Sequence, residues 1–123
     1  MIYYVHKEAN MDETLVMKAL SHETRLGIVR LLLQRTMCVR ALARHFAVSE
    51  PTISVHLRVL RKAGLLYGEK KRYSMHYHVH REMLQELAAY FSELSNLPVL
   101  PHNGCANNGQ CKCRCHKRGN PPV

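Results

Sequence analysis

One stretch limits the fold more than any other: CVRALARHFAVSEPTISVHLRVLRKAGLL, residues 38–66. Val39, Leu42, Ala43 and Phe46 recur at helical spacing, and so do Ile53, Leu57 and Leu60. Only Ala47 and Val48 separate the first rhythm from Ser49, a good N-cap, with Pro51 tolerated in the turn that follows. Two short helices joined so tightly must cross, which is a helix-turn-helix layout. Gly64, suited to a left-handed terminating conformation, stops the second helix.

The flanks extend this unit. Leu15, Val16, Ala19 and Leu20 predict a helix over Asp12 to Leu20, and Ser21 is expected to cap the next. That helix runs to about Gln34, with Leu26, Val29, Leu32 and Leu33 as its buried stripe. After Gly64 the period changes to that of strands: Leu65 to Tyr67, a basic turn over Gly68 to Arg72, then Tyr73, Met75, Tyr77 and Val79 alternating with Ser74, His76, His78 and His80. A last helix, Arg81 to Ser95, carries Leu84, Leu87, Ala88, Phe91 and Leu94 and cannot extend past Pro98. The expected fold class is mainly α with a small β hairpin: a winged helix-turn-helix of about five helices plus a two-stranded wing. Residues 1–10 read as an N-terminal arm, 11–97 as the folded unit for DNA binding and dimerisation, and 98–123 as a flexible, basic, Cys-rich tail.

Charge adds a partner class. Lys and Arg number 18 against 9 Asp and Glu, a net charge of +9 that points to a polyanion, nucleic acid before membrane. The N-terminal stretch lacks the apolar run of a secretory signal and no segment approaches a membrane span, so the expected location is cytoplasmic. Five cysteines, an odd count, then suit thiolate ligation or redox chemistry better than structural disulfides. His22-Glu23 is not followed by a histidine at helical spacing and no Gly-rich phosphate loop occurs, so no enzyme is expected.

In a helix-turn-helix the second helix enters the major groove by its N-terminal residues, which selects Ser49, Glu50, Thr52, Ser54, Val55 and Arg58 as base- or phosphate-facing candidates. Lys70, Lys71 and Arg72 on the wing suit phosphate contact, with Arg61 and Lys62 adding to the same basic stretch. On their own such charges would be a solvated face; the hairpin and paired helices give them a partner.

At these residues the chain resembles the ArsR/SmtB family of metal-responsive repressors. ALSHETRLGIVRLLL and, most specifically, SEPTISVHLRVLRKAGLL carry the resemblance, which spans about Lys18 to Leu94. It implies a homodimeric repressor whose first and last helices form the subunit interface and which an inducer releases from a double-stranded DNA operator. Two departures bear on specificity: Glu50 stands where the family often has Gln or a small neutral residue, and Val55 where many members are polar or basic. Glu50 would repel phosphate yet could accept from a cytosine amino group, and Val55 could touch a thymine methyl. His56, one step round the helix towards the core, is expected to be a hydrogen-bonded structural histidine rather than a ligand.

The family's usual pair of cysteines at the third helix is broken, because Arg40 holds the second position and leaves Cys38, which reads as an inert buried thiol able at most to join a site completed from elsewhere. The last helix lacks the histidines of the family's other metal site. The tail instead offers Cys105, Cys111, Cys113 and Cys115, with His102 and His116 flanking, a density that suits a soft or borderline ion such as Cd(II), Pb(II), Zn(II), Cu(I) or As(III). Lys112, Arg114, Lys117 and Arg118 favour the thiolate forms. His76, His78 and His80 share a strand face that reads as solvent-facing, with metal chelation the sharper alternative. The competing functions are a repressor whose cysteines form a redox switch and a metal-buffering protein.

Overall fold

A computed structural model describes residues 11–101; the arm over 1–10 and the tail from 102 lie outside the described residues. Five helices and one hairpin follow in order: α1 Glu13–Leu20, α2 Glu23–Gln34, α3 Val39–Phe46, α4 Glu50–Lys62, β1 Leu66–Lys71, β2 Ser74–Val79 and α5 Arg81–Ser95. The antiparallel strands pair from Leu66↔Val79 to Lys71↔Ser74.

The junction of α1 and α2 explains ALSHETRL. Asp12 opens α1 by accepting from the Leu15 N–H at 3.1 Å. Ser21 does not cap α2 as expected: it keeps helical dihedrals, and its hydroxyl donates back to the Lys18 carbonyl at 2.7 Å. The cap is His22, extended, with Nδ1 accepting from Thr24 N–H at 3.1 Å. Arg25 then turns back across the junction, its Nε donating to the Ala19 carbonyl at 2.7 Å and its Nη2 to that of Lys18 at 3.2 Å. Two of the last four carbonyls of α1 are thereby bonded by a side chain of α2.

Both helices of the helix-turn-helix end in the same way. After α3, Ala47 takes left-handed dihedrals (φ 57°, ψ 43°) while Val48 N–H reaches the Ala43 carbonyl at 3.1 Å. After α4, Gly64 takes φ +83°, with Leu65 N–H on the Leu60 carbonyl at 3.0 Å. Ser49 caps α4, its hydroxyl accepting from Thr52 N–H at 3.2 Å.

The core is drawn from every element except α3's outer face and the wing tip: Val16, Ile28, Val29, Leu32, Leu42, Ile53, Leu57, Leu60, Leu65, Leu66, Tyr77 and Leu87 are all buried. Two expectations fail here. Leu26 is 43% exposed, and Ile28 takes its place in the stripe of α2. The α5 stripe is mostly unburied, with Leu87 inside, Leu84 half-buried, Ala88 exposed, and Phe91 and Leu94 at 46% and 44% exposure. Leu15 on α1 is likewise 41% exposed.

The wing differs from expectation in its turn. Gly68 to Lys71 continue β1, and the reversal uses only Arg72 and Tyr73, with Arg72 at φ 42°. Lys70 and Lys71 therefore sit on a strand, on opposite faces, and not in a loop. At its base the wing is tied down by Tyr77 N–H to the Met37 carbonyl (3.1 Å) and His80 N–H to that of Leu65 (2.8 Å).

Candidate nucleic-acid interface

Because Ile53, Leu57 and Leu60 turn inward, α4 presents Glu50, Thr52, Ser54, Val55 and Arg58 outward, all exposed. Ser49 and Thr52 are bound to each other, Oγ to Oγ1 at 2.8 Å, as well as through the cap, so the Ser49 hydroxyl is already engaged twice and that of Thr52 once. Between α4 and β2 lies a groove of about 450 Å³ lined by Ser54, Leu57, Arg58, Arg61, Lys62 and Tyr77. Arg61 spans it over the Tyr77 ring, 6.0 Å from the centroid. Three cations on one wall give a slot suited to a phosphate backbone.

Sequence reasoning missed two features. Glu50 is paired with Arg40, Nε to Oε2 at 3.6 Å, across the turn between α3 and α4. Ten residues and a turn between helices separate the pair, and no local spacing rule links them. At the wing tip Tyr73 is 95% exposed, beside Arg72; alternation predicts it as the first residue of the second strand, and the turn over Arg72 and Tyr73 leaves it just outside that strand.

On the wing, Glu69 holds His78, Nε2 to Oε1 at 2.7 Å, with Lys71 at 3.7 Å. The His78 bond, then the Lys71 charge, hold the Glu69 carboxyl below its ordinary value. His78 also stacks on Tyr67 (5.0 Å, 13°), whose ring meets His80 at 4.5 Å. His78 and His80 thus both pack on the Tyr67 ring, and among the described residues no group of three His, Cys, Asp or Glu is placed to hold a metal ion.

His56 is half-buried but not hydrogen-bonded through Nδ1, which is buried without a partner. Its ring instead lies 4.6 Å from that of His22, tilted by 46°. Burial, then the His22 and Arg25 charges, hold its pKa below the ordinary histidine value. Cys38 is a free thiol, but half-exposed rather than buried. It lines a groove of about 490 Å³ with Val39, Arg40, Glu50, Tyr73, Ser74 and Met75. Its place before α3, facing the wing, is what opens it to solvent. His102, Cys105, Cys111, Cys113, Cys115 and His116 lie outside the described residues.

No described helix is long and apolar enough to cross a membrane. Residues 22–67 match the family described as bacterial regulatory protein, arsR family. The transcriptional repressor SdpR of Bacillus subtilis (strain 168) is 35% identical over 71 residues, 58% of this chain and 79% of that protein. The arsenical resistance operon repressor of Escherichia coli (strain K12) is 46% identical over 61 residues, 49% of this chain and 52% of that protein. The homodimeric winged helix-turn-helix DNA-binding domain of a Mycobacterium bovis protein superposes with a TM-score of 0.58 at 26% identity, covering 79% of this chain and 93% of that one. With its matching helix-turn-helix, its wing and its basic groove, the chain belongs to the arsR family of bacterial regulatory proteins and is a DNA-binding transcriptional regulator, not an enzyme.

Proposed function

We propose that this chain is a cytoplasmic homodimeric repressor that leaves its operator when a thiol-binding metal ion or metalloid binds. The observation that carries the DNA half is the exposure, on one side of the molecule, of Ser54, Val55 and Arg58 next to the cationic groove of Arg58, Arg61 and Lys62. Ser49, Glu50, Thr52, Ser54, Val55 and Arg58 meet the major groove, and Lys70, Lys71 and Arg72 track the flanking phosphates. The dimer is supported by exposed Leu15, Phe91, Leu94 and Leu97, apolar surface on α1 and at the end of α5 that a single chain leaves in water. The homodimeric Mycobacterium bovis relative supports it too. Two-fold symmetry then sets two half-sites about 34 to 36 Å apart.

The inducer reading rests on the thiols. The described residues do not assemble a metal site, since Cys38 stands with Arg40 and not with a second thiol. The soft donors are Cys105, Cys111, Cys113 and Cys115 of the tail, with Cys38, His102 and His116 as further donors. Relatives named for arsenical resistance operons make trivalent arsenic one member of the class, beside Cd(II), Pb(II), Zn(II) and Cu(I). Ligation must favour a dimer geometry that binds DNA less well, by a coupling of about 1 to 3 kcal/mol.

The test is affinity for the chain's own promoter DNA at one stated salt concentration, reduced, with and without each ion. Specific binding weakened roughly 5- to 150-fold by one ion is the expected outcome. Induction unchanged by alanine at Cys111, Cys113 and Cys115 would remove the tail as sensor. Specific binding indifferent to every ion, but lost with a mass shift after peroxide, would assign the cysteines to redox.

A further inference from the structure

We infer that Arg40 and Glu50 act as one unit that selects cytosine in each half-site, with Glu50 the base-reading residue and Arg40 the residue that positions it. This rests on the DNA-binding reading of α4. Glu50 is the first residue of α4, where the helix dipole favours a carboxylate, and its side chain is 53% exposed. On the approach to DNA that charge meets phosphates and is repelled. Arg40 offsets part of that repulsion: its Nε lies 3.6 Å from Glu50 Oε2, and the pair stands between two grooves, one towards the wing and one lined by Ala43, Arg44, Val48 and Ser49.

The chemistry of the pair restricts the base. A carboxylate only accepts hydrogen bonds, so it needs an exposed donor in the major groove. Cytosine N4 and adenine N6 are the donors there, and adenine sets the N7 acceptor beside N6, which would repel the second carboxylate oxygen. Cytosine remains. Arg40 has five donors, and its 3.6 Å ion pair with Glu50 is too long to commit any of them to a hydrogen bond. It belongs to α3, the helix that crosses the sugar-phosphate backbone in this motif, and its side chain is 72% exposed. Its free donors therefore face a phosphate while it holds the carboxylate at the base edge.

Selection from random duplex DNA with the full reduced chain tests this, using the wild type, E50Q, R40Q, R40K and the E50Q/R40Q double variant. Glu50→Gln should lose the cytosine preference by roughly five-fold or more and move it towards adenine, which Gln bonds through N6 and N7. The same variant should bind random DNA no more weakly than the wild type, since a negative charge has gone. Arg40→Gln should reduce the cytosine preference and lower the log–log salt slope by about 1, and Arg40→Lys should restore the slope. In the E50Q background, Arg40→Gln should leave base preference untouched. Both side chains are more than half exposed, so folding is expected to survive, and circular dichroism checks it. A wild-type motif that E50Q leaves unchanged at every position overturns the pair as reader while DNA recognition stands. A wild-type chain that enriches no sequence overturns the regulator reading itself, and the pair with it.

Discussion

The outward faces of α4 and α5 are both surfaces that a solitary chain does not need, and they are opposite in kind. Along α4 the exposed positions are Glu50, Thr52, Ser54, Arg58, Arg61 and Lys62, with Val55 the one large apolar side chain in the water. Along α5 and just past it, Phe91, Leu94 and Leu97 are exposed in succession, and Leu15 on α1 adds to the apolar area. A polar face expects a polyanion; an apolar one expects its like. The lesson is that helical periodicity reports which face is buried in the functioning assembly, and the coordinates of one chain reveal which part of that burial its own core supplies. For α4 that part is the whole apolar stripe; for α5 it is Leu87, with Met83, Leu84 and Tyr90 covered in part.

The largest effect should come from charging the apolar face. Phe91→Glu with Leu94→Glu is expected to leave a folded monomer and to cut operator affinity by about 100-fold or more, because two linked half-site contacts become independent. Sedimentation and operator binding measured on one sample check it; a variant still dimeric and fully active would dissolve the contrast between the faces. Gly64→Ala probes the joint between them. Its φ of +83° suits glycine, and a Cβ there would meet Met83 Cε of α5 at 3.1 Å. Destabilisation of about 1 to 2 kcal/mol is expected from the backbone alone, read by urea unfolding. Smallest is a pH effect confined to the inner side of α4. The folded pKa of His56 is lowered, so the unfolded chain binds more protons and stability must fall as pH drops through about 6.5 towards the folded value. Denaturant midpoints between pH 8 and 5 should slope less for His56→Gln, and equal slopes would remove His56 from the account.

The parts of the fold legible beforehand were those written in local chemistry. The Ser49 cap, the Ala47–Val48 connection and the limits of α5 depend on a handful of adjacent residues, and the structure has them where periodicity and capping put them. The wing turn was illegible because Gly68 and the run Glu69–Arg72 look like a loop, whereas Gly68 pairs with Tyr77 and the chain reverses on Arg72 and Tyr73, neither a usual turn residue. Ser21 and His22 exchanged roles because either can accept a cap bond and only the backbone decides. The Arg40–Glu50 pair and the Tyr67 stack depend on how elements cross, which no local pattern encodes. For the site, the exposure of α4 and the basic groove follows from residue order; the assignment of the tail thiols rests on composition.

The anchoring of the wing has a mechanical consequence. Hydrogen bonds to Met37 and Leu65 clamp the half of the hairpin nearest the core, up to Tyr77, and among the described residues the strands beyond are held by each other. Tyr77 is the third pair from the base, so the cantilever is the three residues of each strand beyond it, about 10 Å long. Amide protons near Tyr77 and His80 should exchange with solvent far more slowly than those at Lys71 to Ser74. Bending freedom is therefore concentrated at the cationic tip, which can follow a groove of variable width without disturbing the register of α4.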